Sequence, residues 1–242
     1  MNMTDEVDKS DGRDLAAWTA IIAALMMLAT LALNVVATGG DGNLIFDPER
    51  ALALAPEKIA AYRMYLLTDT FGFYLPWIVI GGYLRRRLRD QGGVVIDIAL
   101  LFIVVHAILG ATGAAIPFAT LAPLAEAHAN GDAAIRSAAE IAWLGIVLGS
   151  ASGIWVWEGP VMAFWGIATG LAMRAQGMKL GMLTIVIGVL YAGMFVFSCA
   201  DFPDLMMVCV VLMGLASIVW AVGFGITLLR EKSSSASPAS PG

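Results

Sequence analysis

Apolar residues run along the chain in long blocks, at 15–38, 59–84, 94–117, 138–173, 180–198 and 205–229, separated by polar, glycine-bearing or proline-bearing segments. A helix needs roughly 20 predominantly apolar residues to cross the hydrocarbon core of a bilayer. Continuous apolar runs of that length, rather than alternating ones, predict an all-α, polytopic transmembrane helical bundle. The block at 138–173 is long for one upright span and contains Glu158, Gly159 and Pro160, where a hairpin would divide it. Six spans and seven are the two readings.

Basic residues decide between them, because Lys and Arg near span ends mark cytoplasmic connections. Arg85, Arg86, Arg87 and Arg89 crowd the link between the second and third blocks. Counting outward puts the N-terminus inside and the 39–58 and 118–137 connections outside. With one span in 138–173, Arg174, Lys179, Arg230 and Lys232 all fall inside and Asp201 and Asp204 outside; two spans reverse every placement. Six spans is the preferred reading, with residues 138–150 as an outer extension of helix four or an interfacial segment. Pro160 is then tolerated inside a span at the cost of a kink. Residues 1–14 read as an acidic cytoplasmic segment, 15–230 as the bundle, and 231–242 as a disordered cytoplasmic tail, because small residues and proline cannot bury a core. The first block runs to about 24 residues behind an acidic leader, which suits a retained span better than a signal peptide. Residues 39–58 should form an outer loop with a short helical turn, and 118–133, with Glu126, His128 and Asp132, a polar outer cap. No internal sequence repeat is evident.

Composition agrees. Of 242 residues, 60% are hydrophobic, and 14 basic and 19 acidic side chains make the charged fraction 14%, well below the quarter usual in soluble domains. The net charge of −5 arises largely in the first fourteen residues. No basic patch interleaved with aromatics is present, so nucleic acid is not an expected partner; the lipid bilayer is. Cys199 and Cys209 are about 15 Å apart along a helix and read as small apolar residues.

Small residues recur on helix four: Gly145, Gly149 and Gly153, then Gly166 and Gly170. Such faces let helix backbones approach closely, which matters where apolar contact has no hydrophobic driving force. They are the expected helix-packing positions, within the bundle or, alternatively, toward a homo-oligomer or membrane partner.

Ionisable residues inside spans are costly and therefore informative. Asp69, Asp97, His106 and Glu158 stand out. At 1.5 Å per residue from the cytoplasmic span ends, Asp69 lies about 22 Å deep, His106 about 18 Å and Glu158 about 22 Å. Three titratable groups at one level could converge on a site for a proton, a cation or a polar headgroup; alternatively each is satisfied separately. Asp97, close to the arginine loop, is expected to pair with it. Tyr65 and Tyr62 precede Asp69 by four and seven residues and share its helical face better than Arg63; Tyr65 joins the candidate binding set. An aromatic belt at the outer interface is the competing account of Tyr62 and Trp143. Trp155, Trp157 and Trp165 bracket Glu158 as core packing or as aromatic walls for an organic cation. No catalytic residue, metal site or cofactor is predicted: HExxH, Walker and dinucleotide glycine motifs are missing, two histidines do not make a usual zinc or haem set, and in GSASG the serines flank the central position.

The stretch WVWEGPVMAFWGIATGLAMRAQGMKLGMLTIVIGVLYAG resembles the middle of the bacterial membrane proteins grouped as domain of unknown function 4386 (DUF4386). Gly159, Pro160, Gly166, Gly170, Arg174, Lys179, Gly181 and Gly188 carry the likeness. The last span departs from the pattern, with Trp220 where acidic residues are expected. The resemblance implies six spans, a glycine-rich fourth helix, a basic turn and a bacterial cytoplasmic membrane, and brings no activity. A binding or transport-like membrane protein is the leading expectation. A structural or assembly subunit and an intramembrane enzyme stand as alternatives.

Overall fold

A computed structural model describes the backbone from residue 3 to 235 and side chains from 12 to 231. Every element among the described residues is helical. The first rod is α1 (Met3–Thr38). A 3₁₀ turn at Leu44–Phe46 and the short α2 (Pro48–Leu52) follow, capped by the Asp47 side chain, which accepts from the Arg50 amide. The second rod is α3 (Pro56–Asp69), a π turn at Thr70–Tyr74 and α4 (Leu75–Gly92). The third is α5 (Val94–Asn130). The fourth joins α6 (Ala133–Val147), a π segment (Leu148–Ile154), a 3₁₀ turn (Trp155–Trp157) and α7 (Glu158–Ala175). The fifth and sixth are α8 (Gly181–Cys199) and α9 (Pro203–Ser235).

Links after the second rod are short. Gly93 (φ 51°) separates α4 from α5, and Gly177 (φ 73°) turns the chain between α7 and α8. Such tight turns use left-handed backbone that glycine adopts without steric cost. Short links make sequential rods antiparallel neighbours. Each rod packs on the next, and α1 closes on α9, so the rods form a ring; α4 also meets α7 across it. With an even number of rods both chain ends come to one end. There Gly12 lies beside the Arg86 guanidinium, and Arg87 Nη1 and Nη2 hold Glu231 at 2.8 and 3.1 Å. We call this the arginine end.

Five helical stretches are long and apolar enough to cross a membrane: Gly12–Thr38, Val94–Asn130, Ala133–Ala175, Gly181–Cys199 and Pro203–Glu231. The 56–92 rod, interrupted at the π turn and bearing Asp69 and the arginines, lies between α1 and α5 in the ring. Residues 133–175 form one rod with no hairpin at Glu158-Gly159-Pro160. Pro160 occupies the first turn of α7, where a missing N–H is tolerated.

Residues 118–130, in the stretch read as a polar outer cap, are the last turns of α5, which runs to Asn130 through Pro117 and Pro123. Two expectations need correction. The tail remains helical to Ser235; 236–242 lie outside the described residues. Tyr62 and Trp143 are no interfacial belt: both are buried, their rings 6.4 Å apart, and Trp143 Nε1 donates to Ile45 O at 3.0 Å. The lengthened α5 and the 44–54 loop cover them.

At the arginine half, Trp77, Trp165 and Trp220 converge from three rods, with ring centroids 5.1–6.2 Å apart. Edge and offset contacts of this kind stabilise beyond their buried area. The Trp220 indole donates to Thr184 Oγ1 at 2.8 Å, and that hydroxyl donates to Leu180 O. A cost of stranding a polar atom in the core is thereby avoided.

Candidate intramembrane polar site

The site begins with an irregularity in the second rod. Its inward residues include Tyr62, Leu66 and Asp69, then Tyr74, Trp77, Ile80, Leu84 and Leu88. Steps of three or four keep one face of a helix inward, but Gly72, buried against α1, and Tyr74, buried against α5, are only two residues apart, and Trp77 follows Asp69 by eight residues where two turns need about seven. The π turn at Thr70–Tyr74 absorbs the additional residue, so both halves present their inner faces to the same neighbours. Pro76, just beyond, has no N–H to donate. In this disturbed ladder the Phe73 carbonyl lies 3.0 Å from His106 Nε2.

That contact assigns a proton. A carbonyl only accepts, so Nε2 must carry hydrogen. The other nitrogen, Nδ1, lies 3.2 Å from Glu158 Oε2, at ion-pair distance though out of line for a linear hydrogen bond. With Nε2 protonated, this pair is satisfied by one further proton, as imidazolium with carboxylate or imidazole with carboxylic acid. Both forms are neutral overall. His106 is 0% exposed and Glu158 4%, and Glu158 Oε1 has no hydrogen-bond partner.

Asp69, 7% exposed, ends α3 directly before the π turn that carries Tyr74. Tyr74 and Tyr191 complete the surroundings, their rings 5.2 and 6.0 Å from the His106 ring. Tyr65 stands one turn before Asp69, its ring 5.4 Å from that of Tyr62. Two glycines of α5 make room: a Cβ on Gly110 would overlap the Tyr74 ring, and one on Gly113 the Trp155 indole. That indole donates to Gly110 O at 3.3 Å.

Thus His106 and Glu158 are in contact, and Asp69 is buried on the facing rod just before the π turn whose Tyr74 ring stands against His106. Asp97 stands apart, paired with Arg85 at 2.6 Å and Arg89 at 3.6 Å. Arg63 donates to Phe118 O and lies over that ring, 4.4 Å from its centroid. Trp165 belongs to the core, whereas Trp157 is exposed. The packing glycines divide. A Cβ on Gly166 would come within 2.6 Å of Gly188 Cα, and one on Gly170 within 2.6 Å of Ile185 Cγ1, so both are close α7–α8 contacts. Gly145 and Gly149 face open space, and a Cβ on Gly153 meets only Leu148 O at 3.7 Å. These three do not pack helices within the chain, because the rotation of α6 turns Trp143 and Val147 inward instead.

Sequence reasoning missed Tyr74, Tyr191, the Phe73 carbonyl and the two glycines. A tyrosine inside the fifth apolar block was the available signal. Among the described residues no three His, Cys, Asp or Glu side chains come together to hold a metal ion. Comparison with protein-family models, with curated proteins and with solved structures gives no match.

Proposed function

We propose that this is a membrane-embedded binding or transport-like protein whose centre, formed by Asp69, His106 and Glu158, takes up and releases a proton. Arginine placement supports a bacterial cytoplasmic membrane with both chain ends inside, as does the DUF4386-like pattern. The carrying observation is the His106–Glu158 contact, with Nε2 committed to Phe73 O and Glu158 Oε1 unpartnered in a buried place. Removing the shared proton leaves the His106–Glu158 pair negative, a charge that a small cation can neutralise. Intramembrane ionisable groups are used in this way along proton and ion routes.

The test uses the purified protein in liposomes with a trapped pH-sensitive dye and an imposed potassium diffusion potential. Proton entry above that of empty vesicles is expected, falling to the empty-vesicle level in Glu158→Gln and Asp69→Asn. Wild-type vesicles indistinguishable from empty ones would remove proton conduction, and unchanged flux in both variants would remove the site.

The exposed Gly145 and Gly149 favour a second reading, an assembly subunit that receives a partner helix or a second copy at this face. Gly149→Leu should then abolish co-purification of that partner. A monomer in mild detergent for the unaltered chain counts against it.

A further inference from the structure

A cavity of about 620 Å³ opens at the end opposite the arginines, between the α2–α3 link, the first turns of α3 and the last turns of α5. Its size falls in the range of small-ligand sites. Most of its wall is apolar, with Leu52, Leu54 and Ile59 on one side and alanines of α5 on the other. Arg63, Glu126 and His128 are its ionisable side chains. His128 is committed, its Nε2 2.9 Å from Glu140 Oε1. Arg63 is held without a counter-charge: its Nε donates to Phe118 O at 3.2 Å, and its guanidinium carbon stands 4.4 Å from the centre of the Phe118 ring. A carbonyl and a ring fix the guanidinium plane but leave its charge whole and its Nη hydrogens available. Among the described residues no carboxylate pairs with Arg63, and Glu126, exposed at the rim, has no cationic partner.

Arg63 stands level with Phe118, and Glu126 follows Phe118 on α5 by about 12 Å of helical rise. Opposite charges, neither matched within the chain, therefore face one apolar cavity from its two ends. A ligand that satisfies both carries an anion at the Arg63 end, a cation at the rim and an apolar body between them. A carboxylate suits Arg63, because a guanidinium fork holds two oxygens side by side. An extended tripeptide with free ends spans about 10 Å and so reaches from one charge to the other. We propose that this cavity binds a short apolar peptide of about three residues, its C-terminal carboxylate on Arg63 and its N-terminal ammonium at Glu126. The polar residues Glu126, His128 and Asn130 end α5 here, so the mouth faces water, from which such a peptide arrives. The assignment is independent of the proton-site reading.

The test is equilibrium dialysis of tritiated alanyl-leucyl-alanine against the full chain in neutral detergent micelles, with empty micelles as the blank. Binding above the blank is expected, and its absence overturns the proposal. Amidating the carboxyl end should weaken binding about tenfold in the unaltered chain, the loss of one charge-assisted contact, and no further in Arg63→Gln. Acetylating the amino end should also cost about tenfold, and no further in Glu126→Gln. Lys58→Gln and Glu57→Gln remove the same charges near the cavity but not from its wall, and should keep the original affinity. Equal losses in these two variants, or peptide ends that can be blocked without effect, overturn the site. If Arg63→Gln does not fold, the two blocked peptides on the unaltered chain and on Glu126→Gln decide. Free leucine is too short to reach both charges and should compete about tenfold less well. Equal competition by leucine, or by phosphatidylethanolamine added to the micelles, overturns the peptide in favour of an amino acid or a lipid headgroup.

Discussion

Gly110 and Gly149 are both glycines in the middle of helical rods, and their surroundings give them opposite sensitivities. A methyl group on Gly110 overlaps the Tyr74 ring, which is boxed in by His106 and Tyr191. Gly110→Ala should therefore cost about 1–3 kcal/mol, the range for overpacking a filled interior, and displace the Tyr74 ring from its place beside His106. Gly149→Ala meets open space and should change stability by less than about 0.5 kcal/mol, or gain slightly from helix propensity. Thermal unfolding in detergent, followed by circular dichroism, separates the two. Trp220→Phe keeps most of the stacking on Phe224 but leaves Thr184 without its donor; about 1 kcal/mol is expected by the same assay.

For the helical elements, phase along a rod matters more than any single contact. The π turn at Thr70–Tyr74 supplies one residue beyond the α-helical count, and Phe71 within it is exposed. Phe71→Ala should be nearly neutral, whereas deletion of Phe71 rotates α3 by about 100° relative to α4 and carries Asp69 out of the site. Its Tm should drop well below that of Phe71→Ala, and the proton response should vanish even where the chain still folds. The loop before α3 has its own device. The Arg50 side chain and then the Asn43 amide hold the Asp41 carboxyl below the usual carboxylate range. Because the folded value is depressed, this tie is complete above the unfolded pKa and fades as pH falls through the folded one. Hydrogen exchange should show residues 39–52 opening under acid before the rods do. The pair lies at the surface, where solvent screening keeps its effect on global stability small.

For the molecule as a whole, the ring of antiparallel rods predicts labelling from two sides. With Cys199 and Cys209 replaced by Ala, Asp90→Cys and Asp201→Cys should react with an impermeant thiol reagent from opposite faces of a sealed vesicle. Reaction of both from one face would contradict the arrangement of rods. The arginine end is tied by Arg87–Glu231 and Arg85–Asp97, each partly exposed. Such pairs contribute at most about 1 kcal/mol apiece, so the bundle rests on its two apolar clusters and on the Gly166/Gly170 seam rather than on these charges.

The apolar blocks, the single rod through Glu158-Gly159-Pro160, the gathering of both chain ends beside the arginines and the Asp97 pairing were legible in the residues, because each depends on local length, hydropathy or charge. That His106 and Glu158 touch was anticipated only as a shared level, since counting residues measures height along a helix and says nothing of azimuth. Azimuth was hidden for a physical reason: α5 is apolar nearly all round, so no stripe marks its inner face, and two π turns shift the phase of the rods facing it. Hence Gly145, Gly149 and Gly153, a packing face by spacing, turn outward, while Tyr74, Tyr191 and a backbone carbonyl turn in. Composition and order along the chain determined a helical membrane bundle with costly groups at mid-height. Only tertiary packing, by setting the rotation of each rod, decided which of those groups meet.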